Sequence, residues 1–190
     1  MEPEAPSPLL IQFSELLLRD LPPGPILDLA GGAGRNALWL AQKGARVVCC
    51  DRSREALSCA QKKAQTLGIS METWEVDLEV PGTNPLPEDG FSGVIVFRYL
   101  YRPLIPCIKK AIKPGGILIY ETFTVEQRRF GKPRNPDHLL EPGELLGWFS
   151  HWIVIHYFEG ILPDPPRAMA QLVSRKPHVA LGPLPVSKDE

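Results

Sequence analysis

The chain contains no uninterrupted apolar stretch near the ~18 residues that a membrane-spanning helix requires. Its longest such runs, for example Val94 to Phe97 and Gly116 to Tyr120, have the length of strands. An excess of either charge is also lacking, because 21 Lys and Arg stand against 22 Asp and Glu, a net charge of -1. That balance excludes the global basic field of a protein that coats nucleic acid and leaves room only for a local patch. Cysteine is scarce: Cys49, Cys50, Cys59 and Cys107 form no CxxC pair, and a chain of 190 residues has no need of disulfide staples. They are expected to be reduced. No His/Cys cluster stands at ligand spacing, so no metal site is expected. Met1 to Pro8 carries neither the basic residues nor the apolar run of a secretory signal, and the expected location is the cytoplasm. Internal repeats and low-complexity tracts are absent.

What the chain does have is punctuation, with 21 prolines and 16 glycines between short apolar runs and longer helical patterns. This alternation predicts an α/β fold of βαβ units, a Rossmann-like three-layer sandwich around a mostly parallel sheet. An amphipathic segment from Pro8 to Leu21 precedes a strand from Pro25 to Ala30. Helices follow from Arg35 to Lys43 and from Arg54 to Leu67, closed by Gly44 and Gly68, with a strand from Arg46 to Cys50 between them. Further strands are read at Glu72 to Val76, Gly93 to Phe97 and Ile117 to Thr122, with a helical stretch from Pro103 to Ile112. Pro81 to Gly90 is a loop. Beyond residue 124 the pattern becomes polar and basic, then gives a short helix from Gly143 to Phe149 and an antiparallel hairpin from Trp152 to Glu159 and Ala168 to Ser174. Residues 1–176 are expected to form one domain, and 177–190 a loosely held tail.

Chemistry concentrates where the first strand becomes a helix, in Asp28-Leu29-Ala30-Gly31-Gly32-Ala33-Gly34-Arg35. Small residues there let the backbone approach a ligand, and the exposed amides of the helix start favour an electron-rich group. Gly32-x-Gly34-x-x-Ala37 also satisfies the dinucleotide pattern, which keeps an NAD-dependent oxidoreductase open. Asp28 points the other way, since a carboxylate repels a diphosphate and attracts an ammonium. Asp51 ends the second strand, where it can accept two ribose hydroxyls, and Asp77 ends the third, beside the same cleft. Any one of these acids could equally be a helix cap or a solvated turn.

These segments resemble the class I S-adenosylmethionine-dependent methyltransferases over roughly residues 26–175. The first motif is similar from Asp28 to Gly34, with Ala30 at the first glycine position. Asp51 resembles the family's ribose acid, Asp77-Leu78 its adenine pair, and Ile112 to Gly116 the turn before its fifth strand. Gly34 to Ala37, and stretches between Glu121 and Leu145, are similar to the small tellurite-resistance-like branch. The resemblance implies a seven-stranded sheet with a C-terminal antiparallel hairpin and S-adenosylmethionine as cofactor, leaving S-adenosylhomocysteine as product. It implies cofactor contacts from Asp28, Ala30, Gly31, Gly32, Gly34 and Arg35 on the first loop, Asp51 and Arg52 on the second, Asp77 and Leu78 on the third, and Arg98. On the acceptor side stand Arg98, Tyr99 and Tyr101 after the fourth strand and Glu121, Thr122 and Phe123 after the fifth.

A sulfonium is already an activated methyl donor, so the protein has chiefly to align acceptor and methyl in line and exclude water. The expected acceptor is a small or anionic molecule, with no strong nucleic-acid signal and no membrane, in a monomer or weak homodimer. Arg98 either faces the cleft or pairs with a nearby acid, while Arg128, Arg129, Lys132 and Arg134 form either a pocket lid or a solvated loop that also carries His138. His151 and His156 belong to the hairpin, and Trp39, Trp74, Trp148 and Trp152 to packing. A non-catalytic cofactor-binding module that regulates a partner remains the alternative of another class.

Overall fold

A computed structural model describes residues 5–178. Its core is a seven-stranded sheet of order β3-β2-β1-β4-β5-β7-β6. The strands are β1 (Ile26–Leu29), β2 (Val47–Asp51), β3 (Glu72–Glu75), β4 (Phe91–Phe97), β5 (Ile112–Phe123), β6 (Ile153–Pro163) and β7 (Pro166–Arg175). The first five are parallel to one another, whereas β7 lies antiparallel between β5 and β6. Successive side chains leave a strand on opposite faces, so the buried runs divide by parity into two cores. Leu27, Leu29, Val94, Val96, Leu118 and Tyr120 pack on one face and Ile26, Val47, Ile95, Phe97, Ile117 and Ile119 on the other.

Helices α1 (Pro8–Leu18), α2 (Arg35–Gln42) and α3 (Arg54–Leu67) cover the second face through Leu10, Leu17, Leu40 and Leu57. The first face is covered by α4 (Ile105–Ala111) and by α5 (Glu144–Trp148) with the residue that follows it, through Ile105, Ile108, Leu145 and Phe149. The ends of α3 follow local chemistry. The Ser53 hydroxyl accepts from the Ala56 amide at 3.1 Å, and Gly68 closes the helix in the left-handed region at φ 65°.

The elements match the sequence expectation in kind and order, with shifts at their ends: α1 stops at Leu18 and β4 already begins at Phe91. The hairpin strands run several residues further on either side of their turn, and β5 begins at Ile112 instead of Ile117. Ile112 already pairs with Phe91, and Lys113 to Gly116 form an excursion inside the strand. A Cβ on Gly116 would stand 2.6 Å from the Ser92 carbonyl oxygen, so only glycine permits that close approach. The expected tail lies almost wholly outside the described residues. Strand order reverses between β1 and β4, which is where an open α/β sheet leaves a crevice at its carboxyl ends.

Candidate active site

The loop between β1 and α2 owes its shape to three residues in the left-handed region, Ala30 at φ 53°, Gly32 at 56° and Gly34 at 76°. Gly31 is needed for space, because a Cβ there would meet the Asp28 carboxylate and the Cys49 sulfur, each at 2.8 Å. A Cβ on Gly32 would instead meet nothing within 4 Å, so this residue offers bare backbone to open space. The loop is tied to β2 by Asp51, whose Oδ2 accepts from the Gly32 amide at 2.9 Å and whose Oδ1 accepts from the Ser53 amide at 2.8 Å.

Beside this loop runs a groove of about 230 Å³, lined by Ala30, Asp51, Arg52, Val76, Asp77, Leu78, Glu79, Arg98 and Tyr99. Asp77 folds its own turn by accepting from the Glu79 amide at 2.9 Å, and Glu79 lies 3.7 Å from the Arg52 guanidinium. The geometry thus brings together Ala30, Asp51, Arg52, Asp77, Leu78, Arg98 and Tyr99 from the sequence-predicted set.

Glu79, Arg98 and Tyr99 also line a second chamber of about 640 Å³, completed by Leu100, Phe123, Lys132, Pro133, Arg134, Asn135 and His138. Arg98 sits at φ 56°, a strained conformation for a residue with a Cβ, held by its amide donating to the Glu121 carbonyl at 2.8 Å. Its side chain is exposed and makes no ion pair among the described residues. The neighbouring Tyr99 carbonyl accepts from the buried Tyr120 hydroxyl at 3.1 Å. The Tyr99 hydroxyl itself is buried without a hydrogen-bond partner. Burial first, then the Glu79 carboxylate beside it, push its pKa up, so it stays protonated.

Other expected residues lie elsewhere. Asp28 is 2 % exposed and does not line the groove; its Oδ2 accepts from the Ala37 amide at 3.0 Å and thereby caps the start of α2. Burial raises its pKa to about 7, against the lowering pull of the Ala37 amide and Arg35. Glu121 is 4 % exposed and turns to the α1 side, where Gln171 Nε2 donates to it at 2.6 Å and the Ser7 hydroxyl at 3.5 Å. Tyr101 lines neither cavity and donates to the Glu79 carbonyl at 3.4 Å. Gly34 and Arg35 begin α2 behind the loop. The basic segment divides, with Lys132 and Arg134 on the chamber wall and Arg128 and Arg129 off it, Arg129 pairing with Glu126 at 2.9 Å. Burial pushes the Cys49 thiol up and the Cys50 thiol up to about 12, which leaves neither as a thiolate nucleophile.

Sequence reasoning missed the two residues that hold the basic segment in place. Gln127, 5 % exposed, donates to the Lys132 carbonyl at 3.1 Å and accepts from the Ala168 amide at 2.9 Å. Arg102 grips Glu144 with two nitrogens at 2.6 and 2.8 Å and donates to the carbonyls of Asp137 and Leu139 at 3.2 and 2.8 Å. Neither partner set is near in sequence, so no local signal marked them.

A Rossmann-like α/β sheet here carries a carboxylate-edged groove at its switch point, the place where open sheets of this kind take a nucleoside cofactor. A family model described as a methyltransferase domain matches residues 26–116. Ribosomal RNA small subunit methyltransferase B from Thermus thermophilus is 28 % identical over 174 residues, 75 % of this chain and 42 % of that protein. The tRNA 5-carboxymethoxyuridine methyltransferase from Escherichia coli K12 is 26 % identical over 98 residues, 49 % of this chain and 38 % of its own. The chain thus spans about two fifths of the length of these curated relatives. Among solved structures, TehB from Haemophilus influenzae superposes with a TM-score of 0.71 at 17 % identity, covering 88 % of this chain and 61 % of that one. That likeness is one of fold alone.

The family-model match supports a class I S-adenosylmethionine-dependent methyltransferase domain over residues 26–116, and S-adenosylmethionine is the cofactor that it implies. The residues present fit that group. Asp51, Asp77 and Glu79 suit hydroxyls, an amino group and a sulfonium cation, and they repel a diphosphate. One expectation is overturned: the relatives are named for ribosomal and transfer RNA, against a small-molecule acceptor without a nucleic-acid signal. The chain as a whole is balanced in charge, so its net charge carries no sign of either class of acceptor. No helix among the described residues is long and apolar enough to cross a membrane.

Proposed function

We propose that the chain transfers a methyl group from S-adenosylmethionine to an acceptor carried by RNA. The observation that carries this reading is the pair of adjoining cavities: a carboxylate-edged groove shares Glu79, Arg98 and Tyr99 with a chamber walled by Arg98, Lys132, Arg134, Phe123 and Tyr99. Carboxylates suit the cofactor, whereas cations beside aromatic faces suit a nucleotide. The names of the two curated relatives support the same acceptor class.

In this reading Asp51 and Asp77 hold the nucleoside end, and Asp28 keeps the glycine loop in shape from beneath. When bound, the sulfonium would supply an electrophilic methyl. The protein's share is placement: Tyr99 and Arg98 stand where the cavities meet, Tyr99 as a hydrogen-bond donor and Arg98 as a charge toward the acceptor. Leu100, Phe123 and Pro133 exclude water from the space between. The test is transfer of tritium from methyl-labelled S-adenosylmethionine to total cellular RNA, protein and the small-molecule fraction. Counts that are acid-precipitable and removed by ribonuclease are expected; counts in protein or in the small-molecule fraction alone would refute the RNA reading.

A further inference from the structure

The chamber carries three cations, Arg98, Lys132 and Arg134, against one carboxylate, Glu79. That carboxylate is already shared with Arg52 at 3.7 Å. Lys132, Arg134 and His138 make no side-chain ion pair or hydrogen bond among the described residues, whereas Arg129 of the same loop pairs with Glu126 and, outside the loop, Arg102 pairs with Glu144. The backbone beneath the free cations is fixed. Gln127 holds the Lys132 carbonyl, and Arg102 holds the carbonyls of Asp137 and Leu139. Fixed backbone under unpaired cations is the arrangement of a preorganised anion site, since little ordering remains to be done when the anion arrives.

At about 640 Å³ the chamber has the size of a small-molecule pocket, too small for a base-paired duplex. A base reaches its floor, next to the cofactor groove, only if it leaves the stack. Phe123 and Tyr99 give such a base an aromatic face, and Lys132 and Arg134 on the facing loop give its phosphate a positive wall.

Resting on the RNA reading above, we propose that the chamber takes a single nucleotide extruded from the RNA strand, with Lys132 and Arg134 clasping its backbone phosphate. Lys132 and Arg134 are positioning residues. They bring the base to Arg98 and Tyr99 and take no part in the methyl transfer itself.

The probe is a short fluorescein-labelled single-stranded RNA of mixed sequence, titrated by anisotropy into protein saturated with S-adenosylhomocysteine, between about 50 and 200 mM salt. Lys132→Ala/Arg134→Ala is expected to flatten the salt dependence by about 1.4 in log K against log salt, at about 0.7 for each lost phosphate contact. The apparent KM for RNA in the tritium assay rises about tenfold or more with kcat little changed, and Lys132→Arg/Arg134→Lys restores most of both. Unchanged slope and KM in the alanine variant, with RNA still methylated, would overturn the clasp and leave the RNA reading standing. An RNA that the natural protein neither binds nor methylates would remove that reading and the clasp with it. Inorganic phosphate at matched ionic strength is expected to compete poorly; competition as strong as that of unlabelled RNA would show a site for free anions and overturn the assignment to the strand.

Discussion

Replacing Arg102 by alanine should loosen the acceptor chamber without touching the cofactor groove. The guanidinium makes four contacts to the segment that follows Lys132, two to the Glu144 carboxylate at 2.6 and 2.8 Å and two to the Asp137 and Leu139 carbonyls. The Glu144 pair is partly exposed, with side-chain exposures of 35 and 18 %, so screening reduces it to about 1 kcal/mol. The contact to Leu139 is half-buried and charge-assisted, worth about 1–1.5 kcal/mol, and the exposed one to Asp137 adds a few tenths. The sum, about 2–3 kcal/mol, corresponds to a roughly 30- to 150-fold rise in the population of the undocked loop. Hydrogen exchange read by mass spectrometry should show that acceleration in peptides covering residues 131–144, with β1 and β4 unchanged. The RNA KM should rise while cofactor affinity holds. Exchange that stays the same in that segment, or speeds up equally throughout, would refute the assignment of Arg102 as its anchor.

Other substitutions separate shape from binding. Gly31→Ala forces a Cβ against Asp28 and Cys49 at 2.8 Å and should cost about 2–4 kcal/mol in chemical denaturation. Gly32→Ala, with open space around its Cβ but φ 56°, should cost only about 1 kcal/mol and lower cofactor affinity more; the reverse order would refute the loop geometry. Asp51→Ala removes the acceptor of two loop amides and should weaken S-adenosylmethionine by about 1–3 kcal/mol in calorimetry, whereas unchanged affinity would take Asp51 out of the site. Asp28 titrates near 7 in the native state and near 4 when unfolded, so the native state holds a proton that the unfolded chain has released between those values. Stability should therefore fall as pH rises from about 4 to about 7, by at most about 4 kcal/mol from this group, and then level off. Asp28→Asn should remove that slope; a difference between the two proteins that is independent of pH would contradict it. Glu144 behaves oppositely: Arg102 and the Glu141 amide hold it below the usual carboxylate range despite burial, so its anchoring persists at neutral pH and is lost as pH falls through that lowered value.

The elements were legible because each is decided locally. Ser53 and Gly68 bracket α3, and β-branched runs such as Val94 to Val96 can only be buried strands. The glycine loop, Asp51 and Asp77 were legible because a strand end followed by a tight turn places a side chain at the carboxyl edge of the sheet. Asp28 and Glu121 were misplaced for a reason of parity and depth. Each stands at the right end of its strand, yet Asp28 turns down onto the Ala37 amide in the first turn of the next helix, and Glu121 toward Ser7 and Gln171, partners 114 and 50 residues away. Arg102 and Gln127 could not be read, since their partners are carbonyls, amides and a carboxylate that only folding brings near. The basic loop was seen as a cluster, but its division into Lys132 and Arg134 on the chamber and Arg128 and Arg129 off it follows from the two short helical turns on either side, Val125–Arg129 and Pro136–His138.

The measurement closest to the central claim is parallel calorimetric titration of the purified chain with S-adenosylmethionine, S-adenosylhomocysteine and NAD. A groove edged by Asp51, Asp77 and Glu79 predicts micromolar binding of the first two and silence from NAD, whose diphosphate those carboxylates repel. Binding of NAD alone, or of none of the three, would contradict the account.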